Sequence, residues 1–279
     1  MKRLTALAAL GLAACVAARA AEPTPATLKP LWEFGLGAGV LAFNDYRGSD
    51  TSHVYPIPLP YFVYRGRILR SDEGGLRGRF FNQDHIELSL SVNGTTPVRN
   101  TSARSGMPDL RPTLEVGPAL DLHLWRSADE RLKLNVRVPV REAFTIEASP
   151  RAIGAFAAPN ISLDIAQLPR SEGWKLGLLA GPLFAARRYD EYFYSVAPQY
   201  IAPGRPAYAA RGGYAGSQAL LALTRRYPSY WIGGYVRYDT LAGASFADSP
   251  LVKTRGYWTA GFGVAWMISK SDRLVASED

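Results

Sequence analysis

From about residue 31 to residue 268, apolar and polar side chains alternate with a period of two in one segment after another. In Asp84–Gly94 the residues Ile86, Leu88, Leu90 and Val92 share one face, and Glu87, Ser89, Ser91 and Asn93 share the other. Thr113–Arg126 sets Leu114, Val116, Leu120, Leu122 and Leu124 against Glu115, Gly117, Asp121 and His123. Glu130–Arg141 sets Leu132, Leu134, Val136, Val138 and Val140 against Lys133, Asn135, Arg137 and Arg141. Such alternation marks long strands with one apolar and one polar face. Twelve are predicted, over 31–43, 54–64, 67–72, 75–82, 84–95, 112–126, 130–145, 151–166, 172–187, 213–227, 229–245 and 255–268.

Most of these strands are too long for a soluble sandwich, whose strands run about five or six residues. They are close to the 9–11 that a tilted strand needs to cross a bilayer. Trp32, Trp125, Trp174, Trp231, Trp258 and Trp266 lie near strand ends, where interfacial aromatic girdles form. Connections after odd-numbered strands are mostly long and those after even-numbered strands are tight, as in bacterial barrels with outer loops and periplasmic turns. The fold class expected is therefore all-β, a transmembrane antiparallel β-barrel of about 12 strands. An even count requires breaking Arg67–Asn82 at the acids and glycines of Asp72–Gly75; ten and fourteen strands are the alternatives.

A polar inner face lets charges meet. If Ser127 pairs with Arg131, Asp121 lies opposite Arg137; one step away, Glu115 lies opposite Arg141. Either register sets acids against arginines in a lumenal ladder of Glu115, Asp121, Arg137 and Arg141 that would brace or narrow the interior. The longest connection, Arg188–Gly212, carries Tyr189, Tyr192, Phe193, Tyr194 and Tyr200. So many aromatics imply a mouth loop folded onto or into the barrel, with plugging, surface binding and simple packing all open.

Upstream, Met1-Lys2-Arg3 and the small apolar run Leu4–Ala18 end at Ala18-Arg19-Ala20, which reads as an export signal over residues 1–20. Leu12-Ala13-Ala14-Cys15 also resembles a lipobox, with Cys15 lipidated; this is the chain's single cysteine. Residues 21–30 read as a periplasmic leader, 31–268 as the barrel and 269–279 as a C-terminal tail. The formal charge is +8, and its basic residues interleave with acids, which argues against nucleic-acid binding. His53, His85 and His123 show neither clustering nor zinc spacing. No G-x-S-x-G elbow occurs. No catalytic residue, metal or cofactor is expected. His123 and Asp121 share a lumenal face, where a lone histidine is more often a hydrogen-bonded filler.

Several stretches carry a family resemblance: Asp45–Asp50 (DYRGSD), Pro60–Gly66 (PYFVYRG), Gly106–Pro118 (GMPDLRPTLEVGP), Leu179–Tyr200 (LAGPLFAARRYDEYFYSVAPQY), Gly212–Gly216 (GGYAG), Tyr238–Leu251 (YDTLAGASFADSPL) and Tyr257–Ile268 (YWTAGFGVAWMI). Together they resemble the MipA/OmpV family, the MltA-interacting proteins, over about Trp32 to Ile268. The resemblance implies an outer-membrane barrel in contact with lipid. It also implies, for the best-known members, a scaffold linking a murein lytic transglycosylase to a peptidoglycan synthase. Other members are discussed as porin-like or antibiotic-interacting. One departure is the tail after the last strand, since such barrels commonly end on a terminal aromatic. A scaffold needs a periplasmic surface, whereas a pore or binding barrel needs an open lumen.

Overall fold

The computed structural model describes residues 27–65, 69–72, 75–78, 81–83, 85–99, 101–168 and 171–277. The export signal over 1–20, Cys15 and most of the leader lie outside the described residues.

Nearly all of the regular structure is antiparallel sheet. The wall contains β2 (Trp32–Asn44), β3 (Ser52–Arg65), β4 (Leu69–Asp72), β5 (Gly75–Gly78), β6 (Phe81–Gln83), β7 (Ile86–Thr95), β8 (Thr113–Arg126) and β9 (Leu132–Thr145). It continues through β10 (Ala152–Ala157), β11 (Asn160–Ile165), β12 (Trp174–Ala185), β13 (Gly213–Arg226), β14 (Tyr230–Thr240) and β15 (Gly256–Lys270). The strands β10 and β11 are two halves of one wall position, each paired with β9 and β12 and separated by Ala158 and Pro159. Pro159 has no N–H to donate, so the ladder breaks there. With β10 and β11 as one position, and β5 and β6 both falling inside the expected strand 75–82, the described wall strands occupy each of the twelve expected segments.

The ladder runs from β5 through β4, β3, β2 and β15, then back through the sheet to β7 and β6. First and last long strands, β2 and β15, are thus neighbours. The path does not close as a ladder among the described residues: its two ends, β5 and β6, are joined by the chain through residues 79 and 80. β5 nevertheless comes within 8 Å of β7, Cα to Cα. Pro56, Pro58 and Pro60 fall on β3, whose pairing with β4 among the described residues covers Tyr64 and Arg65. Prolines at every second position suit such an edge, because they cannot donate to another strand.

Burial follows the alternation. On β2, Phe34, Leu36 and Val40 are exposed while Glu33 and Gly35 are buried; on β8, Leu114, Leu120 and Leu124 are exposed while Glu115 and Asp121 are buried. The exposed set continues with Ile161, Phe184, Leu221, Val236, Phe262 and Trp266, an apolar outer surface that a water-soluble wall would not carry. Along β15, Trp258 and Trp266 are both exposed and lie about 27 Å apart at about 3.4 Å per residue. On a strand tilted by about 40° that length spans about 21 Å of height, close to an apolar band about 25 Å tall between aromatic girdles. Trp231 departs from the expectation: it turns inward and packs on the Tyr61, Val63 and Ala265 cluster. No described helix is long and apolar enough to cross a membrane.

Thr27 and Ser277, the first and last described residues, lie at the end of the tight turns. There β1 (Thr27–Pro30) pairs with β16 (Leu274–Ser277), so the described part of the leader forms a two-stranded ribbon with the tail. Leu31 N–H donates to Arg273 O and Ser271 N–H to Trp32 O, which continues the β2–β15 seam into the ribbon.

Candidate functional site

The long connections gather at the opposite end and fill it. The segment read as a mouth loop contains a helix the alternation did not reveal, α1 (Arg187–Tyr194). Tyr189 with Phe193, and Asp190 with Tyr194, are i,i+4 pairs on its buried side. Tyr189, Phe193 and Tyr194 join Tyr46, Val98, Leu110, Leu241 and Phe246 from the other loops in one core with the wall residues Ile153, Phe156 and Leu183. Tyr194 stacks flat on Phe246 at 3.7 Å between centroids. The helix's last carbonyls are buried and satisfied: Arg104 Nη1 donates to Phe193 O at 2.8 Å and Ser249 Oγ to Tyr194 O at 2.7 Å. Tyr192 is half-buried and donates to Arg111 O, and Tyr200 is half-buried on a short 3-10 turn. Leu241–Ser245, read as the end of a strand, belongs to this plug, because β14 ends at Thr240.

Beneath the plug the charged wall is in contact with it. The β8–β9 register sets Asp121 opposite Arg137, with Arg137 Nε 3.2 Å from Asp121 Oδ1. Glu115 faces Ala143 across the same ladder, so the alternative register is not adopted. Arg141 reaches Glu115 on the diagonal, Nε to Oε2 at 3.0 Å. Glu115 is 1% exposed and accepts two further hydrogen bonds, from Asn93 Nδ2 at 3.2 Å and from the Tyr189 hydroxyl at 2.8 Å. Three donors make a buried carboxylate tolerable. Arg141 also donates to Ser91 Oγ, and Ser89 Oγ donates to Asp121. All four ladder residues thus sit on one lumenal wall in two linked groups.

A second charged group lies near α1, on the neighbouring strands β13 and β14. Arg47, from the β2–β3 connection, donates to Ala215 O at 2.7 Å and lies 3.5 Å from Asp239, which also accepts from Arg237 at 2.7 Å. Asp190 on α1 is fully buried; among the described residues its carboxylate accepts one hydrogen bond, from Ser245 Oγ at 3.4 Å. Burial pushes its carboxyl up to about 7, against the opposing pull of Ser245 and Arg47.

Toward the tight turns, Glu33 of β2 bridges two arginines. Arg65 Nη1 donates to it at 2.8 Å, and Arg226, from β13, donates to its other oxygen and to the Tyr61 hydroxyl. This triad joins strands three ladder steps apart, so single-strand alternation marks Glu33 as inward but cannot pair it. His123 Nδ1 shares a hydrogen bond with Asn135 Oδ1 at 2.9 Å, and Asn135 Nδ2 donates to Asp164 Oδ2. His123 Nε2 is 4.0 Å from Glu87. Among the described residues no three His, Cys, Asp or Glu are grouped to hold a metal ion.

A family model described as MltA-interacting protein MipA matches residues 36–268. Comparison with curated proteins finds no match. Among solved structures, similarity extends to a bacterial polysaccharide outer membrane secretin, at 11% identity and TM-score 0.41, over 85% of this chain and 99% of that one. Outer membrane phospholipase A from Escherichia coli matches at 12% identity and TM-score 0.34, over 88% and 94%. The Ralstonia pickettii toluene transporter TbuX matches at 10% identity and TM-score 0.27, over 90% and 74%.

Proposed function

This chain belongs to the MltA-interacting protein MipA family, and from that premise we propose that it is an outer-membrane scaffold for murein enzymes and not a pore. The observation that carries this reading is the filled mouth. Passive permeation needs a continuous water-lined path, whereas Tyr194, Phe246 and Leu241 are all at most 3% exposed where that path would begin. A barrel blocked on the outside keeps its periplasmic end as the working face. There the β1–β16 ribbon and the short turns offer a platform for a lytic transglycosylase, which would be bridged to a peptidoglycan synthase. The ribbon matters because tight turns alone present little of the roughly 800 Å² per partner that a specific interface buries.

Two measurements on the purified full chain test the reading. Planar bilayers should show no steady channel. A purified murein lytic transglycosylase should be captured in stoichiometric amount, and less of it once residues 271–277 are deleted. A steady conductance with no enzyme captured overturns the scaffold in favour of the porin-like or solute-binding alternative.

A further inference from the structure

The outer surface of the wall is not uniformly filled. On the lipid-facing side of β13, β14, β15 and β2, a groove of about 460 Å³ opens between Leu221, Leu223 and Phe262, with Gly234, Ala260 and Ala42 along its floor. The ladder explains the notch. Leu223 pairs with Gly234, Gly234 with Phe262 and Phe262 with Val40, so one row of large outward side chains drops to a bare Cα in its middle. Lined by carbon and facing the bilayer, the groove suits an acyl chain better than water.

One end of the groove carries a cation. Trp174, which lines it, is the cross-strand partner of Arg225, two positions from Leu223 on the same outer face of β13. The Arg225 guanidinium lies over the Trp174 ring at 5.9 Å and the Tyr227 ring at 4.6 Å, and Tyr227 stacks on Tyr230 at 4.3 Å. Among the described residues no carboxylate pairs with Arg225. The two rings fix the guanidinium plane and leave its edge donors free. These residues stand at the tight-turn end of the strands, the level of the periplasmic leaflet's headgroups, where phosphate is the abundant anion. Guanidinium and phosphate match as a two-point charge-assisted pair.

We propose that this groove and Arg225 form a binding site for one diacyl phospholipid of the periplasmic leaflet, an acyl chain lying over Gly234 and the phosphate held by Arg225. The site is independent of the plug and of any murein partner, so the scaffold reading can fail without it.

Native mass spectrometry of the delipidated full chain in detergent tests it, with diacyl phosphatidylglycerol as probe and diacylglycerol and inorganic phosphate as the two partial ligands. One phospholipid should be retained per chain. Arg225→Gln should weaken retention about tenfold, the size of one charge-assisted pair, and Ala260→Leu, which fills the floor, should weaken it with Arg225 intact. Diacylglycerol should bind less than the phospholipid, and phosphate alone should not compete. Equal retention by wild type and both variants means unspecific annular lipid and overturns the proposal, as does equal binding of diacylglycerol. Heat-modified migration in gels confirms that each variant is folded, and the two substitutions lie at opposite ends of the groove, so failure of one leaves the other decisive.

Discussion

The hydroxyl of Tyr189, on the plug helix, donates to Glu115 Oε1, on the barrel wall, at 2.8 Å. This bond joins the only described α-helix to the charge ladder, so plug and wall are coupled through one carboxylate that Arg141 and Asn93 also hold. Tyr189→Phe should cost about 1.5–3 kcal/mol, the worth of a hydrogen bond to a charged group. Glu115→Ala should cost more, about 3–5 kcal/mol, because it leaves Arg141 buried without its partner. Thermal unfolding of the detergent-solubilised barrel, read by heat-modified gel migration, ranks the two; equal losses would disprove the coupling.

Asp190 gives the plug a pH dependence with a defined sign. Burial raises its carboxyl to about 7 in the folded state, above the roughly 3.9 of an unfolded aspartate. The folded plug therefore binds the proton more tightly. Its stability is fullest below about pH 4, falls as the pH climbs toward about 7, and levels off above that. Hydrogen exchange over residues 187–194, corrected for intrinsic rate, should show more protection at pH 5 than at pH 8. Asp190→Asn should remove the difference.

Helix α1 can approach the wall so closely because of Gly154. It has φ +117°, follows the β9–β10 register shift, and a Cβ placed there would lie 2.8 Å from the Tyr189 nitrogen. Gly154→Ala should both strain the backbone and push α1 outward, a loss greater than about 1 kcal/mol. Unfolding midpoints measure the loss, and increased bilayer conductance would report the displaced helix.

At the other end of the lumen, Glu33 accepts from both Arg65 and Arg226. Glu33→Gln leaves two arginines close together with no counter-charge and should cost about 3–5 kcal/mol. The double variant Glu33→Gln with Arg226→Met should recover part of that stability. A double variant no better than the single one would mean that the triad is not an energetic unit.

The alternation of single residues made the wall legible: Leu114, Leu120 and Leu124 face out and Glu115 and Asp121 face in because a strand has only two sides. The break at Ala158–Pro159 and the helix at Arg187–Tyr194 were not legible in this way. The first depends on a proline's missing donor meeting a particular ladder, and the second is one short amphipathic segment stabilised by residues of three other connections. The Arg226–Glu33 contact crosses three ladder steps, a distance no local period encodes. Tyr189 belonged to the aromatic segment expected at the mouth, but its partner Glu115 is 74 residues away in the chain.

The ribbon of Thr27–Pro30 against Leu274–Ser277 sets Thr27 and Ser277 side by side on one rim. A barrel trimmed to residues 27–277 could be spliced at those two residues by a short peptide and reopened within one of the turns on that rim, at Ser127–Asp129 for instance, without changing a single wall pairing. A permuted barrel of that kind would keep its architecture while beginning on a different strand.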